Sequence, residues 1–371
     1  MAVKVRCPEC QRSFEPAPAE ADRPRVHCPT CGAPANNPTW SQNSSSASSY
    51  DEPTPARRSE RRSAREPITP PKTGRSVMLI VVVVVLLVLG CCGGLIGIGL
   101  WSVKPTSFPE PTQDYADARK AFKTKLVEVG PAPQTFEPET PPPGVKEIEY
   151  TSGNLKLKAW IDPPPIGGPL RPAVLYLHGG FAFGAEDWDQ CEPFRKAGFV
   201  TMVPMLRGEN GLPGSFSLFY NEVDDVMAAG DRLAATPGVD PKRLYLAGHS
   251  AGGTLTLLTA MTTRRFVKAA SFSGSPDQVA FTRDQPELVP FDRDDPREFA
   301  MRSPLAYFQS FKCPVRMYYG NSELPFKFST DRLASQARSR GADVQAVTVP
   351  GDHMSSVAPA MAQAIKFFQP K

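Results

Sequence analysis

From about residue 145 onward, the sequence predicts an α/β fold in which a mostly parallel sheet is flanked by helices. Short apolar runs alternate there with longer segments of helical periodicity, which is typical of strand–helix–strand units. A glycine-rich segment with one serine, residues 248–253 (GHSAGG), lies where a predicted strand is followed by a predicted helix. About 225 residues remain for this domain, which is enough for one sheet with its helices.

The elements of this domain are predicted in chain order. The strands cover residues 146–150, 156–161, 173–177, 200–204, 243–247, 269–273, 315–319 and 344–349. The helices cover residues 189–197, 220–235, 251–263, 329–340 and 355–368. Because strands that are joined through helices run parallel, we expect the loops that follow them to meet at one edge of the sheet.

The chain before residue 145 divides into segments of different composition. Residues 1–35 carry two cysteine pairs, and residues 36–76 form a basic, Ser- and Pro-rich stretch that is predicted to be a disordered linker. Residues 102–144 are Pro-rich and are predicted to be a second linker, with a short amphipathic helix at 115–127, that holds the last domain away from the lipid. The net charge of +4 is small, and a localised basic stretch argues against a nucleic-acid-binding surface on a folded domain.

Residues 77–101 are predicted to form a single transmembrane helix. They contain no charged residue, and as a helix they are long enough to cross roughly 30 Å of hydrocarbon. A signal peptide would lie at the extreme N-terminus, whereas this run comes after a long polar stretch. Seven Arg or Lys residues lie between positions 57 and 75, and Lys104 is the only base immediately after the run. This asymmetry predicts a cytoplasmic N-terminus and an extracytoplasmic C-terminal domain.

The N-terminal cysteines predict a zinc site. Cys7 and Cys10 form one CxxC pair, Cys28 and Cys31 form another, and four thiolates at this spacing can close a tetrahedral Zn²⁺ site. Four protein ligands leave no open position, so the zinc is expected to be structural, with His27 as an alternative ligand. The unit resembles a zinc ribbon, which implies a possible cytoplasmic protein partner. A redox pair or unliganded thiols remain alternatives.

Ser250 is the predicted nucleophile. Glycines on both sides of it allow the sharp strand-to-helix turn that exposes a serine hydroxyl, and the N-terminus of the following helix favours negative charge nearby. The alternative is that these small residues only allow tight packing. In catalytic sites built on such a turn, the serine nucleophile, the acid and the histidine follow in this order along the chain, and the candidates below keep this order.

Serine needs a general base, and His353 is the predicted one. The domain has three histidines: His249 is next to the serine and is expected to point away from its hydroxyl, whereas His178 ends a strand and begins a glycine turn. His353 follows the last predicted strand and precedes the last helix.

Glu323 is the predicted acid, because it lies on the loop after strand 315–319. Either type of carboxylate can hold the imidazole tautomer. Asp331 is the first alternative, and Asp277 is the second.

An oxyanion requires two backbone N–H donors. Ala251, the residue after the serine, is expected to supply one of them, and Gly180 or Phe181 in the His-Gly-Gly-Phe loop is expected to supply the other. Five aromatic side chains are candidates for an acyl pocket. They are Phe181, Phe183, Phe216, Phe219 and Tyr220.

These residues resemble the catalytic domain of prolyl oligopeptidase (S9)-type hydrolases and their esterase relatives, which are members of the α/β-hydrolase superfamily. The similar segments are residues 177–181, 207–211, 237–253, 320–325 and 351–353, and they extend over most of residues 145–371. The resemblance implies an α/β-hydrolase fold and a serine-type peptidase or carboxylesterase that needs no catalytic cofactor. Glu323 stands where such proteins usually have Asp, and no propeller precedes the domain, so an ester or small amide is as plausible a substrate as a peptide.

A different class of function stays open at this point. The chain would then be a membrane scaffold or sensor, with a zinc-ribbon interaction module and a hydrolase-like domain that binds a ligand without turnover. Carboxylates far from His353 would favour this alternative. Whether Cys191 and Cys313 pair is also left open by the sequence.

Overall fold

A computed structural model describes residues 106–165 and 167–369, together with four short strands near the N-terminus. These strands form two antiparallel ribbons: β1 (Val5–Arg6) with β2 (Ser13–Phe14), and β3 (Arg25–His27) with β4 (Pro34–Asn36). The four cysteines of the predicted zinc site lie outside the described residues. The predicted transmembrane segment 77–101 and the linker 36–76 lie outside them as well, so these three remain predictions.

The C-terminal domain is built on one eight-stranded sheet. Its strands are β5 (Lys146–Ser152), β6 (Leu155–Ile161), β7 (Arg171–Leu177), β8 (Val200–Pro204), β9 (Val239–His249), β10 (Lys268–Phe272), β11 (Val315–Gly320) and β12 (Val344–Val349). Their order across the sheet is β12-β11-β10-β9-β7-β8-β6-β5. The strands from β8 to β12 pair in parallel, whereas β6 pairs antiparallel with both β5 and β8. The mostly parallel sheet is therefore confirmed.

Helices cover both faces of the sheet. They are α1 (Tyr115–Ala121), α2 (Ala185–Gln190), α3 (Glu192–Lys196), α4 (Glu222–Ala234), α5 (Ala251–Thr262), α6 (Gln278–Phe281), α7 (Pro296–Ala300), α8 (Leu324–Ser339) and α9 (Val357–Phe368), with 3₁₀ turns at Pro286–Leu288 and Pro304–Tyr307. Side chains of β7 alternate between two buried clusters. Leu175 packs in the cluster that contains α4 and α5, whereas Tyr176 packs in the cluster with α3 and α9. This alternation is what a strand buried on both faces requires.

All eight predicted strands are present, with ends that differ by a few residues. The helix predicted at 189–197 is instead two short helices that meet at Cys191. The helix predicted at 329–340 begins earlier, at Leu324, and has a proline in its first turn, where proline is well tolerated.

The segment predicted as a Pro-rich linker, 102–144, does not act as a spacer where it is described. We call residues 106–144 the arm. Tyr115 of α1 is fully buried, and its hydroxyl donates to Met301 O at 2.7 Å. Farther along, Leu126 forms a β-bridge with Phe291. The arm therefore packs on the C-terminal domain, and a boundary at residue 145 is too late.

A buried ion pair fixes the middle of the arm. Glu298 accepts from Lys125 N at 2.6 Å and from Thr124 Oγ1 at 2.7 Å. Arg302 is bonded to Glu298 at 2.5 Å and to Thr124 Oγ1 at 2.7 Å, and both charged side chains are at most 1% exposed. These contacts join parts of the chain that composition alone assigned to a linker and to a folded domain.

Within the part of the chain that the structure describes, no helix is both long enough and apolar enough to cross a bilayer. The same residues contain no group of three or more His, Cys, Asp or Glu side chains that could hold a metal ion. Cys191 and Cys313 are both free thiols, so they do not pair with each other.

Candidate active site

Ser250 lies in a strained turn between β9 and α5. Its backbone has φ 53° and ψ −113°, which is unusual for a residue with a side chain. A Cβ on Gly248 would lie 2.4 Å from Gly252 O, and a Cβ on Gly252 would lie 2.2 Å from Leu177 O. Both contacts are with backbone, so the flanking glycines are required for the turn to form. The turn lies at the carboxyl end of β9, beside the end of β7, where the direction of strand succession reverses.

His353 and Ser250 meet at this edge of the sheet. His353 Nε2 lies 3.0 Å from Ser250 Oγ, and His353 Nδ1 lies 2.7 Å from Glu323 Oε1. The His353 side chain is 38% exposed, so its ring is open to the cleft. The loops after β9, β11 and β12 thus bring together three side chains in one hydrogen-bonded series.

Glu323 is a buried carboxylate with several donors. Its Oε2 accepts from Ser273 Oγ and from Gly320 N, each at 2.6 Å. Burial alone would raise the pKa of Glu323, but the hydrogen bonds from His353, Ser273 and Gly320 outweigh it, and the pKa lies below the usual value. Glu323 is therefore ionised at neutral pH and can keep the proton of His353 on Nδ1.

The two alternative acids are engaged elsewhere. Asp331 is bonded to Lys327 Nζ at 2.6 Å and to the Tyr319 hydroxyl at 3.2 Å. Asp277 caps α6 by accepting from two backbone N–H groups. Of the three carboxylates considered, Glu323 is the one next to His353.

His249 is hydrogen-bonded to the backbone of His353. Its Nε2 lies 2.9 Å from His353 O, and because a carbonyl can only accept, this nitrogen donates. Burial and the nearby His353 ring lower the pKa of His249 to about 4, so it is neutral at pH 7. The sequence did not predict this contact, although it did exclude His249 as the base.

His178 holds the glycine-rich loop after β7. Its Nε2 lies 3.1 Å from Glu209 Oε2, and its Nδ1 lies 2.9 Å from Gly179 O. Burial would lower the pKa of His178, but the charge and hydrogen bond of Glu209 raise it to about 10. A protonated imidazole can donate through both nitrogens, and this fits the two acceptors that it contacts.

The predicted oxyanion donors come from two adjacent loops. Ala251 is the first residue of α5, where backbone N–H groups have no acceptor within the helix. Gly180 has a positive φ of 66°, which glycine adopts easily. Phe181 N donates to Gln134 Oε1 at 2.8 Å. Gln134 belongs to the arm, and no motif in the sequence pointed to it.

A cleft of about 680 Å³ contains Ser250 and His353. Of the five aromatic candidates, Phe181 and Phe219 line this cleft. The other three pack behind it or away from it: Phe216 against Phe181, Phe183 against Trp160, and Tyr220 against Phe122. Two apolar side chains that the sequence did not single out, Phe281 and Phe326, also line the cleft. Four aromatic side chains therefore line the cleft that contains the polar serine–histidine pair.

Comparison with known proteins agrees with the fold and this class of site. Residues 188–354 match the model of the Prolyl oligopeptidase family. The chain is 26% identical over 188 residues to Uncharacterized peptidase YtmA of Bacillus subtilis (strain 168), a match that covers 47% of the chain and 72% of that protein. It is 28% identical over 200 residues to Uncharacterized peptidase YuxL of the same organism, which covers 48% of the chain and 30% of that protein.

Solved structures show the same fold. A Mycobacterium tuberculosis puromycin-hydrolyzing peptidase matches with a TM-score of 0.51 and 22% identity, over 62% of this chain and 40% of that one. An esterase from the archaeon Pyrobaculum calidifontis matches with a TM-score of 0.50 and 20% identity, over 62% of this chain and 86% of that one. The chain thus spans less than half of two of these four relatives. The family match supports a serine hydrolase, and the solved structures show the α/β-hydrolase fold.

Proposed function

We propose that this protein cleaves an ester or an amide or peptide bond through an acyl-enzyme intermediate, with Ser250 as nucleophile, His353 as general base and Glu323 as the acid. The observation that carries the proposal is the continuous hydrogen-bonded series from Ser250 Oγ through His353 to Glu323, with links of 3.0 Å and 2.7 Å. Both lengths are within the range in which a proton can be transferred or a tautomer fixed.

In each half of the proposed reaction, His353 accepts one proton and then donates it. Ser250 Oγ attacks the substrate carbonyl while His353 Nε2 takes the hydroxyl proton, and Ala251 N–H with a donor from Gly180 or Phe181 stabilises the oxyanion. His353 then gives the proton to the leaving group as the carbonyl–leaving-group bond breaks. Water hydrolyses the acyl-enzyme by the same route, and Glu323 stabilises the imidazolium in both halves.

The substrate class is proposed from the cleft and the relatives. Aromatic walls beside Ser250 favour an apolar acyl or side-chain group. The similar proteins include a puromycin-hydrolyzing peptidase and an esterase, so both leaving-group chemistries are represented among them. We therefore place small acyl esters and aminoacyl amides or short peptides as the substrates to be tested.

A fluorophosphonate probe tests the nucleophile on the full chain in detergent. We expect the probe to label the wild type and to spare Ser250→Ala, with unchanged thermal unfolding. Equal labelling of both proteins would reject the assignment. A panel of acyl esters and aminoacyl amides, with the same acyl groups on both leaving groups, then separates esterase from peptidase.

We also propose that residues 77–101 anchor the protein in a membrane as a single pass, with the N-terminus cytoplasmic and the hydrolase domain outside. Protease treatment of sealed vesicles tests this orientation, since only one end should be digested.

The zinc is proposed to be structural and bound by Cys7, Cys10, Cys28 and Cys31. Cys28→Ser should then lose bound zinc, measured by elemental analysis, while the hydrolytic rate is kept.

A further inference from the structure

The arm brings one polar side chain into the candidate active site. Backbone hydrogen bonds of 3.0 Å fix Gly130 and Ala132 to the hydrolase domain. Pro133 and Gln134, the next residues of the arm, line the same cleft as Ser250. Because hydrogen bonds fix the backbone two and four residues before Gln134, the Gln134 side chain enters the cleft from an anchored segment.

The Gln134 side chain occupies a specific place in the cleft. Its carboxamide oxygen accepts from Phe181 N at 2.8 Å, and Phe181 N–H is one of the two candidates for the second oxyanion donor. The same oxygen would lie 2.5 Å from a Cβ on Gly180, the other candidate residue, so the carboxamide is close to both candidate donors. An amide oxygen bound by a backbone N–H has the same acceptor chemistry as the carbonyl oxygen of an ester or amide substrate.

We propose that Gln134 is a positioning residue that occupies the oxyanion-binding loop of the free enzyme and is displaced when the substrate carbonyl binds. This inference rests on the proposed function. While bound, the carboxamide keeps the Phe181 N–H oriented towards the cleft. Substrate must then replace an existing hydrogen bond at this loop, so Gln134 lowers the apparent affinity for any ligand that uses the loop.

The rate of fluorophosphonate labelling measures this competition without knowledge of the substrate, because the phosphonyl oxygen of the probe requires the same donors. Gln134→Leu keeps a side chain of similar size but removes the acceptor. We expect its second-order labelling rate constant to rise about fivefold, the factor that one net neutral hydrogen bond contributes. Gln134→Glu offers a charged acceptor, which binds an N–H more strongly, and should be labelled more slowly than the wild type.

Gln309→Leu is the matched control. Gln309 Nε2 donates to Pro111 O at 3.0 Å, so this glutamine also joins the arm to the domain, but it does not line the cleft. We expect the labelling rate of Gln309→Leu to equal that of the wild type. An equal increase in both Leu variants would mean that a loosened arm is responsible, and this would overturn the role of Gln134.

The remaining outcomes separate this inference from the proposed function. Unchanged or slower labelling of Gln134→Leu, with Ser250 still the labelled residue, overturns the inference alone. Absence of labelling in the wild type, or labelling that persists in Ser250→Ala, refutes the proposed function itself. Full kinetics add a second readout, since relief of competition lowers KM and leaves kcat nearly unchanged.

Discussion

The turn around Ser250 and the arm both contribute atoms to one cleft, but different interactions hold them. At the turn, the constraint is local and steric, because a Cβ on Gly248 or Gly252 would meet backbone oxygen at 2.4 Å or 2.2 Å. The arm depends on contacts between residues far apart in the chain, such as Thr124 with Glu298 and Tyr115 with Met301. The comparison teaches that a short motif reveals a site held by local geometry and does not reveal one held by distant partners.

The largest expected effect distinguishes Glu323 from Asp331, the two carboxylates that the sequence offered first as the acid partner of His353. Glu323→Gln removes the charge that stabilises the His353 imidazolium, so we expect kcat to fall by about 10⁴. Asp331→Asn is the control, because Asp331 pairs with Lys327 on the surface and should leave kcat unchanged. Hydrolysis of an ester substrate, once one is found, measures both. A larger loss in Asp331→Asn would transfer the role of the acid to that residue.

The second prediction tests whether the contacts of the arm contribute to the free energy of unfolding of the domain. Arg302→Met leaves Glu298 buried without its partner, so we expect a loss of about 3–5 kcal/mol in the free energy of unfolding. Urea denaturation measures it. Arg297→Met removes an exposed ion pair with Asp295 and should cause no measurable change.

A double variant sharpens that test. In Glu298→Gln combined with Arg302→Met, no unpaired charge is buried, and we expect the unfolding free energy to recover part of the loss of the single Arg302 variant. No effect of Arg302→Met on stability would show that the arm is only loosely attached.

The third prediction concerns the loop that lies between the two regions. Gly252 N of the turn donates to His178 O, and Phe181 of the same loop is bonded to the arm. Since the pKa of His178 is raised from 6.5 to about 10 in the fold, its stabilising contribution is complete below pH 6.5 and is lost as the pH rises towards 10. We expect a loss of about 3 kcal/mol between pH 6.5 and pH 9, given about 1.4 kcal/mol per pKa unit.

Glu209→Gln is the control for this pH dependence. It removes the charge that raises the pKa of His178, so denaturation curves at the two pH values should differ less for the variant than for the wild type. Equal pH dependence in the two proteins would exclude the His178–Glu209 pair as its source.

The smallest expected effect compares one hydrogen bond in each region. The hydroxyl of Tyr115 in the arm donates to Met301 O at 2.7 Å, and that of Tyr150 in the sheet donates to Met205 O at 2.8 Å. Both side chains are buried, so Tyr115→Phe and Tyr150→Phe should each lower the unfolding free energy by about 1 kcal/mol. A loss in Tyr150→Phe alone, measured by chemical denaturation, would show that the arm does not unfold together with the domain.

The contrast between the regions explains which structural features could be predicted. Central strands such as β8 are visible in the sequence because a strand buried on both faces must be largely apolar. Both β8 and the less buried β12 begin and end where predicted. Ser250 and His353 followed from a glycine pattern and from the small number of histidines. The arm was assigned to a linker because it is rich in proline. The short helix predicted within it is present in part as α1, and Tyr115 of that helix is fully buried.

The sequence by itself determined the α/β architecture and the turn at Ser250, because backbone sterics and hydrophobic periodicity act between residues that are close in the chain. His353 followed from the small number of histidines in the domain. The sequence also pointed to Glu323, because loops after parallel strands meet at one edge of the sheet. Only the tertiary structure decided that Gln134 reaches Phe181 and that Ser273 holds Glu323. A glutamine or serine has the same hydrogen-bonding groups at any position, and its partner is chosen by the fold that brings distant segments together.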